Sequence, residues 1–311
     1  MRALITGGAG FLGSLAADHL HAQGHEVLAV DNFATGRREN LAERERLRFV
    51  EGSISDRTLV DTLFDEFRPT HVLHAAAAYK NPDDWTEDVE SNVLGTVNIC
   101  QAARRLEAKR LIYFQTALCY GKALERPVTL NHPLAPFSSY AISKTAGEYY
   151  VKLSGLPYVS LRLANIYGPR HLSGPMPTFY KRLRAGQKCI IVDTRRDFLE
   201  AEDFLNLLDA VLREGAPTGS FNVSSGTDYS IKEVFDLMVE RMNIKLDEPV
   251  EVLPPNADDV SSLLLDPTET EKAFNWRAGV SLQTGIERLV RWYDENGVEE
   301  TYTHLQIGKK A

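Results

Sequence analysis

The chain has 311 residues and a formal net charge of −8, with 35 Lys and Arg against 43 Asp and Glu. This acidic balance excludes nucleic-acid binding through bulk positive charge, because that mode of binding needs a basic face. The composition, 43% hydrophobic and 25% charged, is typical of a soluble globular protein of one or two domains rather than of a disordered chain.

The sequence favours a cytoplasmic protein without disulfides or metals. No stretch approaches the roughly 18 apolar residues of a membrane span, and the N-terminus lacks the long apolar core of a signal peptide. Three widely spaced cysteines (Cys100, Cys119 and Cys189) form no CxxC pair. His74 and His171 have no second donor at metal-ligand spacing, so we expect them to be structural.

Apolar runs of strand length alternate with helical patterns through the first half of the chain. Strands are predicted at residues 2–6, 26–30, 47–51, 71–74, 110–114 and 157–163. Helices are predicted at residues 11–23, 58–67, 85–106 and 140–153. Such alternation, with strands that are apolar throughout, predicts βαβ units in a parallel sheet covered on both faces. The predicted fold class is therefore α/β, with a doubly wound parallel sheet.

The alternation weakens after Tyr167, where glycines and prolines cluster over residues 168–177. We therefore predict a dinucleotide-binding domain at residues 1–168 and a smaller, α-rich substrate domain at residues 169–311. Residues 197–223 are expected to return to the first domain.

A glycine-rich segment at residues 7–13 follows the first predicted strand and opens the first predicted helix. Glycines here allow a tight turn and a close approach to a diphosphate, and the helix N-terminus offers N–H groups to the anion. Asp31 ends the second strand, where a carboxylate accepts hydrogen bonds from ribose hydroxyls and repels a 2′-phosphate. The pattern predicts a dinucleotide site that prefers NAD, although Arg37 and Arg38 keep NADP open. The alternative is an ordinary strand–helix turn.

Tyr140 and Lys144 stand four residues apart in a predicted helix, and hence on one face of it. A nearby cation stabilises a phenolate and lowers the pKa of the phenol, which makes it a usable general base. An exposed Tyr–Lys pair is the alternative. Thr116, after the strand at 110–114, can donate a hydrogen bond to a reacting oxygen at the carboxyl edge of the sheet, where ligands of such sheets bind.

These motifs together resemble the extended short-chain dehydrogenase/reductase family, and within it the NAD-dependent nucleotide-sugar epimerases and dehydratases. The resemblance rests on residues 7–13, Asp31, 91–98, 116–121, Tyr140 with Lys144, and 161–170. Further matches lie at 196–199, 221–226 and around Asp266, Lys272 and Trp276, so the resemblance covers nearly the whole chain.

The resemblance implies a seven-stranded NAD domain, a small sugar-nucleotide domain, and a homodimer that pairs the helices containing Asn98 and Tyr140. It implies that Tyr140 is the catalytic acid/base, that Lys144 lowers its pKa and holds the nicotinamide ribose, and that Thr116 is the third catalytic residue. The implied NAD-binding residues are Gly7, Gly10, Phe11, Leu12, Gly13, Asp31, Asn32, Ser53, Ile54, Ala75, Ala76, Ala77, Asn92, Tyr140 and Lys144.

The resemblance also implies a UDP-sugar substrate. The implied substrate residues are Thr116, Ala117, Leu118, Asn165, Thr178, Arg182, Arg196 and Asp259. Among them, Asn165 and Arg196 would hold the diphosphate, and Thr178 or Arg182 would meet the carboxylate of a uronic acid. Arg182 is alternatively part of a solvated helix face.

The chain departs from the family pattern in three places. Ser53 stands where the family often has an Asp that meets adenine, and residues 256–259 lack the Arg that often grips the diphosphate. Ala117 and Leu118 stand where related dehydratases and decarboxylases carry acids, and neither can transfer a proton. The sequence therefore favours 4-epimerisation of a UDP-hexose or UDP-hexuronic acid. A reductase of a nucleotide-linked keto sugar, a dinucleotide sensor without chemistry, and a dehydratase with another acid are the alternatives.

Overall fold

The computed structural model describes residues 1–79, 81–255, 262–299 and 301. A seven-stranded parallel sheet with strand order β10-β6-β5-β4-β1-β2-β3 forms its centre. The strands are β1 (Arg2–Thr6), β2 (Glu26–Asp31), β3 (Leu47–Glu51), β4 (His71–His74), β5 (Arg110–Thr116), β6 (Tyr158–Leu163) and β10 (Gly219–Val223). The chain winds outward from β1 in both directions, which confirms the predicted doubly wound α/β fold.

Helices cover both faces of this sheet. They are α1 (Phe11–Ala22), α2 (Arg57–Phe67), α3 (Trp85–Asp88), α4 (Thr96–Arg105), α5 (Ser139–Leu153) and α7 (Ala201–Leu212). Ala3 and Ile5 of β1 pack in one core cluster with α1 and α7, whereas Leu4 packs in another with α2 and α4. Alternate strand residues thus face two buried layers, which explains why apolar residues occupy both faces of the strands.

The helix predicted at residues 85–106 contains a wider turn. A π-helical segment, Val89–Gly95, joins α3 to α4 without a break. Such single π turns occur mostly at functional sites, because the extra residue redirects the side chains that follow. Asn92 lies in this segment and is fully buried.

β5 is two residues longer than predicted and ends at Thr116 rather than at Phe114. Gln115 and Thr116 continue the pairing with β6, opposite Arg162 and Leu163. The buried Gln115 amide donates to the Lys144 carbonyl at 3.1 Å, so this polar side chain is satisfied inside the sheet.

The second half of the chain builds a smaller lobe. Its elements are β7 (Asn165–Tyr167), α6 (Pro175–Arg184), β8 (Ile190–Val192), β9 (Arg195–Glu200), β11 (Asp228–Ser230), α8 (Ile231–Arg241), β12 (Glu251–Leu253), β13 (Ser262–Leu263), α9 (Thr268–Phe274) and α10 (Leu282–Asn296). Residues of α6, α8 and α10 share one core cluster. Between these elements the chain returns through α7 and β10, and β10 pairs with β6 of the main sheet. The limits of the two predicted domains stay a prediction.

Candidate active site

An open cleft of about 680 Å³ runs along the carboxyl edge of the main sheet and continues against the smaller lobe. Its walls come from the segments after β1, β2, β3, β4 and β5, and from residues around β7 and β9. This edge is where ligands of doubly wound sheets bind, and the volume is in the range of small-molecule sites.

The turn between β1 and α1 is closely packed. A Cβ atom on Gly13 would lie 2.0 Å from the Gly7 carbonyl oxygen, and one on Gly7, where φ is +67°, would lie 2.7 Å from the Ala76 nitrogen. The Ser14 N–H makes an early helical hydrogen bond, to the Gly10 carbonyl at 3.0 Å, so the N–H groups just before it belong to the open first turn. These glycines therefore let a helix N-terminus face the cleft at close range, which suits a diphosphate.

Asp31 lies at the end of β2 and is 8% exposed. Its two carboxylate oxygens accept the Ala9 N–H at 2.9 Å and the Phe33 N–H at 2.7 Å, which fixes the group against the glycine-rich turn. Burial raises the pKa of Asp31, and the hydrogen bonds from Phe33 and Ala9 oppose that rise. Asn32, Ser53 and Ile54 line the same end of the cleft. A carboxylate beside a glycine-rich helix N-terminus fits the adenosine half of a dinucleotide.

The segment after β4 forms another wall of the cleft, and Ala75, Ala76 and Ala77 line this wall. Asn92, which was expected to line the cofactor, is instead fully buried behind this wall. Its side-chain amide accepts a hydrogen bond from the Ala78 N–H at 2.9 Å and donates one to the Ala78 carbonyl at 3.1 Å. The amide also donates to the Ser143 hydroxyl at 3.0 Å. The structure thus gives Asn92 a supporting place between the cleft wall and α5.

Thr116, at the end of β5, and Tyr140, in the first turn of α5, both line the cleft. Lys144 follows one turn later and is almost fully buried, with its ammonium 4.1 Å from the centroid of the Tyr113 ring. Burial lowers the pKa of Lys144 to about 7, and the charge of Glu148 acts in the opposite direction.

The pKa of the Tyr140 phenol differs from the sequence-based expectation. Burial raises it above the ordinary value, and the charges of Tyr79 and Asp88 raise it further. In the chain alone, therefore, the pKa of Tyr140 lies above its ordinary value. The sequence pattern placed the pair on one helical face, but it could not show how deeply both groups are buried.

Most of the expected substrate residues also line the cleft. These are Thr116, Ala117, Leu118, Asn165 and Arg196. The Asn165 amide donates to the Asp197 carbonyl at 3.1 Å, and the Arg196 guanidinium donates to the Arg195 carbonyl at 2.8 Å.

The structure does not bring Thr178 and Arg182 to the cleft. Thr178 lies in α6 and donates to the Gly174 carbonyl one turn earlier, at 3.0 Å. Arg182 is exposed and donates to the Lys188 carbonyl at 2.7 Å. The sequence showed the charge of Arg182 but not the direction of its helix face. Asp259 lies outside the described residues.

Several cleft residues were missed by the sequence reasoning. Tyr79 and Asp88 line it near Tyr140, and Arg170 and His171 line it from the segment after β7. Arg170 binds Asp18 of α1 at 2.7 Å, and the His171 ring lies 4.9 Å from that of Phe11. Burial lowers the pKa of His171 to about 4, so it is neutral near neutral pH. The available signal was the Tyr-Gly-Pro turn before Arg170, which was used to place a domain boundary and to support the family resemblance but not to predict cleft residues.

Within the described part of the chain, no group of three or more His, Cys, Asp or Glu side chains could hold a metal ion. The three cysteines are buried and free. Among the described helices, none is long and apolar enough to cross a bilayer.

Comparisons with known proteins agree with this geometry. A family model, the NAD dependent epimerase/dehydratase family, matches residues 3–224. The structure superposes with a TM-score of 0.94 on WbmG of Bordetella bronchiseptica, solved with NAD and UDP, which is 54% identical over 98% of both chains. A UDP-glucose 4-epimerase of Mycolicibacterium smegmatis is 34% identical, over 94% of this chain and 98% of its own. A probable dTDP-glucose 4,6-dehydratase of Sinorhizobium fredii is 30% identical, over 96% and 94%.

Fold and site together define an NAD-dependent enzyme with a Rossmann-type sheet. The chain belongs to the NAD-dependent epimerase/dehydratase family, which confirms the resemblance inferred from the motifs. NAD is its cofactor, and the glycine-rich turn with Asp31 fits that molecule.

Proposed function

We propose that the protein is an NAD-dependent 4-epimerase of a UDP-sugar, either a UDP-hexuronic acid such as UDP-glucuronic acid or UDP-glucose. The observation that carries the proposal is that Thr116 and Tyr140 line one cleft together with Ala117 and Leu118, two side chains that cannot transfer protons. The Bordetella bronchiseptica structure with NAD and UDP supports the nucleotide, and the Mycolicibacterium smegmatis relative supports the reaction.

The chain supplies the proton chemistry. Tyr140 removes the proton from the 4-hydroxyl of the sugar, and Thr116 donates a hydrogen bond to the same oxygen. NAD, which the glycine-rich turn and Asp31 would hold, would supply the hydride chemistry at C4 and a positive charge on the oxidised nicotinamide ring. The 4-keto sugar turns over in the cleft, and Tyr140 gives the proton back to the new hydroxyl. The cycle is redox-neutral.

Elimination or decarboxylation would need a further acid beside the sugar. In this chain the segment directly after Thr116 is a short turn, Ala117–Tyr120, whose first two residues are apolar. The acidic residues Glu87 and Asp88 line the cleft from α3, not from the segment after Thr116. Asp88 receives a long hydrogen bond from the Asn92 amide, 3.5 Å, and acts electrostatically on Tyr140. We therefore favour epimerisation over the dehydratase reaction of the Sinorhizobium fredii relative.

The positive charges that line the cleft bear on whether the sugar can be a uronic acid. Arg170 and Arg196 are guanidinium groups that line the cleft, and we assign Arg196 with Asn165 to the diphosphate. Because Thr178 and Arg182 lie elsewhere, a uronic acid carboxylate has no partner in α6. Of the three arginines that line the cleft, Arg37, Arg170 and Arg196, the last two line it from the side of the smaller lobe, and one of them would then have to meet the carboxylate.

We further propose a homodimer through α3, the π-helical segment and α5. Large apolar side chains are exposed along these elements: Trp85, Val89, Leu94, Ile142, Tyr149 and Leu153. Apolar groups clustered on helices of one surface are typical of a protein interface. Ile142→Asp should yield a monomer in sedimentation analysis. Leu124→Asp, at an apolar and even more exposed site on none of these elements, should leave the dimer intact.

Incubation of the purified protein with UDP-glucuronic acid and, separately, with UDP-glucose tests the function. Proton NMR should show a new anomeric signal of the galacto-configured product, without net formation of NADH. A net change in NADH absorbance with product formation would instead identify a reductase or dehydrogenase. Loss of water or of CO₂ from the sugar would identify a dehydratase or a decarboxylase. No product from either sugar, with NAD added back, would contradict the proposed substrates.

A further inference from the structure

The side chain of Lys144 lies against the face of a buried tyrosine. Its ammonium is 4.1 Å from the centroid of the Tyr113 ring, and both residues are almost completely inaccessible to solvent. The same Tyr113 donates its hydroxyl hydrogen to the Lys144 backbone carbonyl at 2.9 Å. One tyrosine on β5 thus contacts both ends of one lysine on α5.

The close approach of α5 to β5 makes this arrangement possible. Gly147 faces the tyrosine, and a Cβ atom there would lie 2.4 Å from the Tyr113 hydroxyl oxygen and 2.8 Å from the Asn92 backbone oxygen. The absence of a side chain at residue 147 leaves the space that the Tyr113 hydroxyl occupies. Gln115 also donates to the Lys144 carbonyl, at 3.1 Å, so that carbonyl has a second partner.

We propose that Tyr113 is a positioning residue for Lys144, with its ring face holding the ammonium and its hydroxyl holding the backbone. The negative face of an aromatic ring attracts a cation, most strongly where water is excluded, as it is here. The inference rests on the proposed function in one respect, since it treats the ammonium as the group that supports Tyr140 during turnover.

The ring matters because burial works against the charge on Lys144. Burial lowers the pKa of this ammonium to about 7, and Glu148 opposes that change from the same helix. Glu148 is itself bound by Arg162 of β6 at 3.2 Å, so part of its charge is already compensated. The Tyr113 face is therefore a second source of stabilisation for the cation.

The remaining titratable groups around the pair are held neutral. His74 of β4 lies on Tyr113 with ring centroids 5.4 Å apart, and Thr6 and Thr96 bind its two nitrogens at 2.7 and 2.8 Å. Burial, with the charge of Lys144, lowers the pKa of His74 well below its ordinary value.

Two further groups bear on the titration. Burial raises the pKa of the Cys100 thiol of α4 to about 12, so it is neutral as well. Asp88 of α3 acts on Tyr140 and raises its pKa. The ring of Tyr113 and the carboxylate of Glu148 thus both favour the charged form of Lys144.

Two variants separate the ring from the hydroxyl. Tyr113→Phe keeps the aromatic face and removes only the hydroxyl, and Gln115 still satisfies the Lys144 carbonyl. Tyr113→Leu removes the ring and keeps an apolar side chain. Loss of the ring should lower the pKa of Lys144 by about one unit, since a desolvated cation–π contact has a strength of that order. The pKa in the Phe variant should stay near that of the parent.

The direct measurement is the titration of Lys144 in NAD-loaded protein, by NMR of ¹³C-labelled lysine, with Lys144→Met to identify the signal. The pH dependence of kcat is the second readout. Activity that needs the ammonium falls as pH rises through its pKa, so the alkaline limb of the Leu variant should move to lower pH. Equal Lys144 pKa values in the Leu and Phe variants would overturn the proposal.

If the Leu variant does not fold, phenylalanines with one, two and three ring fluorines at position 113 replace it. Fluorine withdraws electron density from the ring face and changes the volume little, so the Lys144 pKa should fall stepwise along the series. A constant pKa across the series would also overturn the proposal. The NMR titration needs no turnover, so a protein that epimerises neither sugar would contradict the proposed function while this test still decides the role of Tyr113.

Discussion

Gly13→Ala offers a sharp test of the cofactor turn. The added Cβ atom would lie 2.0 Å from the Gly7 carbonyl oxygen and 2.7 Å from its carbonyl carbon, where ordinary contacts begin at 3.4 Å. Both atoms belong to the backbone, so no side chain can rotate away. The start of α1 must therefore separate from the glycine-rich turn by more than an ångström.

We expect this separation to weaken both folding and NAD binding. Overpacking of this kind costs about 1–3 kcal/mol of folding free energy. A displaced helix N-terminus also loses about one hydrogen bond to the charged diphosphate, which weakens NAD binding by roughly 10- to 100-fold.

Gly24→Ala is the matched control. It adds a methyl group after the other end of the same helix, at φ +81° and with no atom within 4 Å. The left-handed backbone alone should cost about 1–2 kcal/mol there, with NAD affinity unchanged. Urea unfolding and calorimetric titration of NAD into nucleotide-free protein measure both quantities. A Gly13→Ala protein that binds NAD as tightly as the parent would refute the reasoning.

Three further outcomes follow from the site. Tyr140→Phe should reduce kcat by about 10²- to 10⁴-fold and leave the Kd for NAD unchanged, as calorimetry and NMR assays would show; near-parental turnover would exclude Tyr140 as the base. Asp31→Ala should weaken NAD binding roughly tenfold or more and bring the dissociation constants of NADP and NAD closer together. An unchanged ratio of the two constants would contradict the contact between Asp31 and the ribose. Burial raises the pKa of Asp197 from 3.8 to about 6, so the folded state holds a proton that the unfolded chain has released, and stability falls as pH rises between those values. Asp197→Asn should remove that part of the pH slope in urea unfolding; a slope equal to the parent's would show that Asp197 is not its source.

The main sheet could be predicted because its strands carry a strong local signal. Runs such as residues 27–30 and 111–114 are apolar, and helical patterns lie between most of the strands, so strand and helix boundaries were close to those observed. The end of β5 was missed because Gln115 and Thr116 are polar, and only their partners across α5 and β6 make them part of the sheet. Local sequence does not encode those partners.

The residues of the candidate site likewise divide into those whose place in the cleft could be predicted from the sequence and those whose place could not. Residues fixed by strand-end position, such as Asp31 and Thr116, were found because topology alone brings them to one edge. Asn92 and Arg182 do not line the cleft, because the direction of a helix face decides where such side chains lie, and a π turn or a helix of the second lobe sets that direction. Their predicted binding roles stay predictions. The raised pKa of Tyr140 depends on burial by distant segments, which no spacing reveals.

The return of the chain to the main sheet has a consequence for synthesis on the ribosome. Strand β10 closes the edge of the sheet beside β6, and α7 covers one of its faces with Phe204, Leu207 and Val211. A nascent chain that has emerged only as far as residue 168 has neither element. Its β6 edge and one apolar face stay open until residue 223 has emerged, and such an edge can pair with another chain. The main sheet therefore completes its fold only after part of the smaller lobe has been made.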